Sequence, residues 1–191
     1  MIVKATLILV ALATIAGAQQ TKQGSRNVNK RSRTTEMEPK LVNAPEIKMI
    51  GIQARTTNLM ESDPATAKIP GLWGQFFQEQ IAAKIPNRKT PGPVLAAYTE
   101  YDSDFTGPYS LTVGAEVTDL TSVPKGMTAI TIPAGKYLVF VAQGPMPKTL
   151  IDTWKHIWDY FPVHTTYHRA YTTDYEVHSA ADRAEIFIAV K

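Results

Sequence analysis

Not one of the 191 residues is a cysteine, so neither a disulfide framework nor a thiolate nucleophile can be built from this chain. Negative charge is missing from its beginning: all seventeen acidic residues lie at Glu36 or later, whereas six of the twenty basic residues precede it. From Glu36 onward fourteen basic residues face seventeen acidic ones, a net of −3. The overall basicity therefore belongs to the leading segment, and the remainder lacks the basic face that a nucleic-acid binder needs. There is no G-x-S-x-G elbow and no Gly-rich phosphate-cradling loop, so the common routes to serine hydrolysis and nucleotide binding are excluded. No nucleic acid and no cofactor are expected.

What is present begins with a leader. Lys4 precedes an apolar run from Ala5 to Ile15, and Ala16-Gly17-Ala18 supplies the small residues of a signal-peptidase site. The run is shorter than the ~20 residues that span a bilayer, so residues 1–18 are expected to be removed, leaving no stable membrane insertion and a periplasmic or secreted product. Residues 19–36 are rich in Gln, Asn, Ser, Thr, Lys and Arg and are expected to be a disordered basic linker. Residues 37–191 then form one domain, large enough to bury roughly two-thirds of its unfolded surface without disulfides.

Periodicity gives an order of elements. Ile47, Met49 and Ile52 mark a strand; Leu72, Trp73, Phe76, Phe77, Ile81 and Ile85 recur at helical spacing until Pro86. Val94–Tyr101 and Tyr109–Val117 are strands joined by the polar turn 102–108. The order then repeats: Thr128–Ile132 and Tyr137–Ala142 are strands, Leu150, Trp154, Ile157, Trp158 and Phe161 form a helical stripe ending at Pro162, and Tyr167–His178, broken around Thr173, and Ala184–Val190 are strands. The pattern implies an α+β fold of duplicated β-α-β-β units, an antiparallel sheet with two helices and a central groove. The groove is expected between the halves, on the side of the sheet away from the helices, where a small ligand would bind.

The residues that carry a family resemblance are spread over the whole domain. Pro39-Lys40-Leu41-Val42 with Ile47-Lys48-Met49-Ile50-Gly51-Ile52, then Gly114-Ala115-Glu116-Val117, then Ile132-Pro133-Ala134-Gly135-Lys136-Tyr137 with Phe140, Gly144 and Trp154, resemble the GyrI-like, or AraC-type, effector-binding domain family. Asp174-Tyr175-Glu176-Val177-His178 stands where that family has an aromatic-Glu-x-Tyr strand, with His178 in place of the tyrosine. The resemblance implies a hydrophobic pocket for a small lipophilic or cationic molecule with Glu176 as its acid. It also implies a stand-alone member that binds its ligand, the alternative being a hydrolase of electrophilic compounds with Glu176 as general base.

Strand alternation sets Tyr175 and Val177 on one face and Glu176 on the other, facing the groove if its neighbours pack toward the helices. An exposed strand glutamate satisfies the same pattern; the resemblance decides for the pocket. A cationic ligand would offset the cost of a carboxylate in an apolar groove, and aromatic faces would add cation–π attraction. Trp73, Tyr98 and Tyr137 are the candidate wall residues. His178, two residues from Glu176, shares its face as a polar rim or a proton-relay partner. His164 with His168, and His156 with Asp159, have helical spacing but no third ligand, too few for a zinc site. A haem-binding relative would need His156, His164, His168 or His178 on the iron.

Overall fold

A computed structural model describes residues 38–191; the expected leader and linker lie outside the described residues. Eight strands form one sheet: β1 (Lys40–Ala44), β2 (Ile47–Thr56), β3 (Val94–Thr99), β4 (Tyr109–Glu116), β5 (Thr128–Ile132), β6 (Gly135–Gln143), β7 (Asp174–Ala180) and β8 (Arg183–Ala189). Their order across the sheet is β1-β6-β8-β7-β3-β4-β2-β5, and every neighbouring pair is antiparallel. The halves meet at β3 and β7, where Ala96 lies opposite Glu176 and Tyr98 opposite Asp174.

Four helices are described where two were expected: α1 (Asn58–Glu61), α2 (Ile69–Gln78), α3 (Ile81–Lys84) and α4 (Lys148–Tyr160). The periodic run that predicts one helix to Ile85 is interrupted at Glu79 and Gln80, where Gln80 takes a left-handed backbone with φ 51°. The apolar spacing survives the break, which is why the run looks continuous. α1 adds a single turn, started by the Thr57 side chain accepting from the Met60 amide at 3.1 Å. Lys68 at the start of α2 offers no side-chain cap; instead the buried Glu61 carboxylate accepts from the Lys68 and Ile69 amides at 3.0 and 3.1 Å, satisfying orphan donors of that helix.

Both helix layers lie on one face of the sheet. In the first half Ile69, Leu72 and Phe76 of α2 pack on Ile50, Leu111 and Val113; in the second Leu150, Trp154 and Ile157 of α4 pack on Phe140, Ile186 and Ile188. Each fully buried side chain of this kind contributes about 1.5–3 kcal/mol. The other face is not an open groove. The sheet curls so that Ala44 of β1 near one edge and Ile132 of β5 at the other join one buried cluster with Met49, Leu95, Tyr137 and Tyr175. Apolar alternation on a sheet buried on both faces does not say which face a ligand can reach, and the expected position of the groove is corrected: the open space is on the helix side.

Candidate functional site

A cleft opens between the two helix layers, over the junction of β3 and β7. Ile69 at the start of α2, Tyr98, Tyr109, Trp154 and Trp158 line it, together with Arg169. Its cover comes from the β3–β4 connection, where Phe105 stacks on Trp158 across the halves with ring centres 6.2 Å apart. Asn58 holds that connection by donating its side-chain amide to the Phe105 carbonyl at 2.7 Å, and itself accepts from the Tyr109 hydroxyl at 3.0 Å.

Behind the cleft wall that Tyr98 and Trp154 form, the Glu176 carboxylate is buried, only 1% exposed. Oε1 accepts the Tyr98 hydroxyl at 2.7 Å and the Trp154 indole N–H at 2.6 Å, while His178 Nε2 stands 2.7 Å from Oε2. A carboxylate taken out of water loses several kcal/mol of solvation, and three short contacts to donors are what offset it. Burial and the adjacent Glu176 charge raise the Tyr98 pKa well above that of a free phenol, so Tyr98 stays protonated and remains a donor. Its ring also meets Trp154 edge to face at 4.9 Å. Strand register explains the grouping: Glu176 and His178 are two apart on β7, and β3 presents Tyr98 beside them.

A second buried group lies next to the first. Asp174, fully buried, takes Arg169 Nη2 at 2.6 Å and Nε at 3.2 Å on Oδ2, with the Tyr101 hydroxyl at 2.8 Å on the same oxygen. Oδ1 accepts the Ala189 amide at 2.8 Å. Burial, the largest single influence, would pull the Arg169 pKa down, but the Asp174 charge and hydrogen bond together with Tyr101 and Tyr171 more than offset this and its pKa is raised; the guanidinium stays charged. It lies over the rings of Tyr171, Tyr101 and Trp154 at 4.6, 5.6 and 5.7 Å, within cation–π range.

The candidates from sequence thus separate. Glu176, His178 and Tyr98 are brought together, and of these Tyr98 lines the cleft. Trp73 does not line the cleft but touches the cluster through His178, edge to face at 4.9 Å, while stacking on Phe77. Tyr137 is not a wall residue. Strand alternation puts it opposite Leu138 and Phe140, inside the curl, where its ring meets Tyr175 at 5.3 Å and its hydroxyl donates to the Pro133 carbonyl at 2.8 Å; burial, with Asp174 nearby, pushes its pKa up to about 12. His164 stacks on Tyr160 at 3.9 Å and His156 meets Phe140 edge to face, both away from Glu176. Among the described residues no cluster of three or more His, Asp or Glu could hold a metal ion.

Sequence reasoning passes over the charged pair Arg169 and Asp174, and it reads Trp154 and Trp158, which line the cleft, only as a helical stripe. The stretch 167–173 is irregular apart from a single bridge between Arg169 and Val190, so no periodicity marks it, although Tyr167–His178 looks like one broken strand. The available signal is an aspartate opening an apolar strand with an arginine five residues before it.

Comparison with known proteins agrees with the fold. The sequence profile of the Cass2 family, integron-associated effector binding protein, matches residues 40–190. The integron cassette protein VCH_CASS2 from the Vibrio cholerae mobile metagenome is 34% identical, with a TM-score of 0.71 over 81% of this chain and 96% of that one. YobU of Bacillus subtilis (strain 168), named for transcriptional regulation, is 29% identical over 150 residues, 74% of this chain and 90% of that protein. SAV2435, solved bound to tetraphenylphosphonium, shares the fold at 21% identity, with a TM-score of 0.65 over 81% of this chain and 94% of that one.

Proposed function

The chain belongs to the Cass2 family of integron-associated effector binding proteins, and from that premise we propose that it captures an apolar, cationic small molecule in the cleft between its two halves, with Glu176 as the charge partner. The observation that carries this reading is a buried carboxylate whose three hydrogen-bonding neighbours are Tyr98, Trp154 and His178, beside an aromatic cleft. The donors make the buried carboxylate tolerable, and in this reading an incoming cation finds both a counter-ion and ring faces. That SAV2435 has been solved with tetraphenylphosphonium supports this class of ligand.

The binding reading is preferred to a hydrolase. Both oxygens of Glu176 already have hydrogen-bonding neighbours, which opposes its service as a general base on a water. The two halves are read as copies of one β-α-β-β unit; the support is that β2-α2-β3-β4 and β6-α4-β7-β8 follow the same order, and that exchanging β1 with β5, β2 with β6, β3 with β7 and β4 with β8 gives the same sheet order read from the opposite edge. Export is part of the proposal and rests on Lys4, the apolar run to Ile15 and Ala16-Gly17-Ala18. It would place the ligand capture in the periplasm or outside the cell.

The test is calorimetric titration with tetraphenylphosphonium and with neutral triphenylphosphine oxide. Glu176→Gln is expected to weaken the cation by roughly thirtyfold or more while changing the neutral compound by no more than about threefold. Equal weakening of both would reject Glu176 as the charge partner.

A further inference from the structure

We propose that the cleft selects apolar cations that also carry a hydrogen-bond acceptor, which Arg169 takes while Glu176 holds the charge. The proposal rests on the reading of Glu176 given above and adds the second anchor.

Arg169 spends only part of its hydrogen-bonding capacity. Nε and Nη2 go to Asp174, and Nη2 also reaches the Tyr101 hydroxyl at 3.1 Å. Nη1, with two N–H groups, has no partner at ordinary hydrogen-bond distance among the described residues; the Tyr171 hydroxyl, whose pKa Arg169 lowers through a side-chain hydrogen bond, can take at most one of them. The Arg169 side chain is nevertheless 4% exposed. Among these residues the buried polar side-chain atom sealed without a partner is Thr99 Oγ1; Nη1 is therefore not sealed, and the open space beside Arg169 is the cleft that it lines. The guanidinium cannot swing away cheaply, because Asp174 grips one edge and the Tyr171 and Tyr101 rings lie against it.

Trp154 connects the two anchors. Its indole N–H is bonded to Glu176, and the Arg169 guanidinium lies 5.7 Å from its ring, so the acid and the free donor flank one indole. Their charges do different work. Arg169 and Asp174 sum to zero, which leaves the Glu176 carboxylate, with His178 beside it, to hold a cation, while Nη1 offers direction without net attraction. A cation made only of hydrocarbon would cover Nη1 and strip it of water with nothing in return. A ketone, ether or ester oxygen one indole's width from the positive centre would replace that water.

The test uses two ions of nearly equal size, hexyltriphenylphosphonium and (5-oxohexyl)triphenylphosphonium, titrated into the full chain. The keto ion is expected to bind roughly tenfold tighter, although it is the less lipophilic. The double change Arg169→Met with Asp174→Asn removes both charges together and is expected to abolish the preference. Arg169→Lys, which keeps the ion pair but not the planar fork, is expected to reduce it. Glu176→Gln should weaken both ions and leave their ratio unchanged. Equal or tighter binding of the hexyl ion, or a preference that persists in both Arg169 variants, would overturn the proposal. If neither ion binds, the reading of Glu176 falls and takes this inference with it; equal binding of the two removes this inference alone.

Discussion

The two halves of the sheet follow the same strand order yet divide the labour at the cleft. The half built on β2, β3 and β4 supplies neutral groups: Tyr98, Tyr101 and Tyr109 as walls, and Asn58 and Phe105 as cover. The half built on β6, β7 and β8 supplies the charges, Asp174 and Glu176 on β7 and Arg169 just before it. The helix layers differ in the same sense. In the first half the helix is broken into pieces around Gln80, and in the second α4 is one continuous helix that carries Trp154 to Glu176. Buried charge demands partners fixed in position: Glu176, Asp174 and Arg169 have theirs in and beside the second half, while the first half's buried carboxylate, Glu61, is held by the Thr56 hydroxyl and the Lys68 and Ile69 amides.

The sharpest way to break this comparison is to leave a charge in the second half without its partner. Asp174→Ala strands Arg169 in a site where its side chain is almost fully enclosed. Loss of one member of a buried pair costs about 3–5 kcal/mol, so the urea midpoint is expected to fall steeply. Arg169→Met with Asp174→Asn, which strands nothing, is expected to recover most of the loss. A cost below about 1 kcal/mol for Asp174→Ala would mean that the pair is an ornament of the fold.

In the first half the vulnerable point is backbone packing. Gly51 of β2 lies opposite Gly114 of β4, and a Cβ on Gly51 would meet the Val113 carbonyl oxygen at 2.2 Å and Gly114 Cα at 2.7 Å. Neither neighbour can rotate away, because both belong to the backbone. Gly51→Ala is expected to destabilise by about 2–3 kcal/mol. Between Tyr137 and Gln143, β6 pairs with β8 without any glycine, so alanine at Val141, whose side chain is well exposed, is expected to cost under about 1 kcal/mol. Chemical denaturation of the two variants compares the halves directly; equal losses would erase the distinction.

How far the sequence could be read follows the same division. Strands with alternating apolar residues, such as Leu111-Val113-Ala115 and Ile186-Ile188, are found close to their predicted bounds, because period-two burial leaves a pattern. Glu176 and His178 share a face for the same reason. Which face they share was not legible: β7 is buried on both sides near Tyr175 and Glu176, and only the curl of the sheet, a long-range property, closes one side. Tyr137 was misplaced by the same ambiguity. The break at Gln80 leaves no trace because no glycine or proline marks it, and Arg169 lies in an irregular stretch where its partner is fixed by tertiary contact with Asp174.

The smallest predicted effect separates the halves by titration. Burial is the first cause that raises the phenol pKa values of Tyr98, Tyr101 and Tyr109, all in the first half and all near the cleft; Glu176, Asp174 and Glu61 respectively are the next. A phenol with a raised folded-state pKa keeps its proton when the unfolded chain has lost it. Folding then binds protons, so the stabilisation is complete below pH ~10 and is lost as pH rises above it. Each such tyrosine contributes a slope of about 1.4 kcal/mol per pH unit while only the unfolded chain is ionised. Tyr98→Phe cannot ionise. It loses a hydrogen bond to Glu176 and is expected to be less stable at neutral pH, yet its stability should fall less steeply between pH 10 and 11 than that of the parent, by about one such slope. Urea denaturation at pH 9, 10 and 11 gives both curves. Parallel curves would mean that Tyr98 ionises equally easily in the folded and unfolded chains, and the assignment of the first half as a wall of locked, neutral donors around the charges of the second would fail.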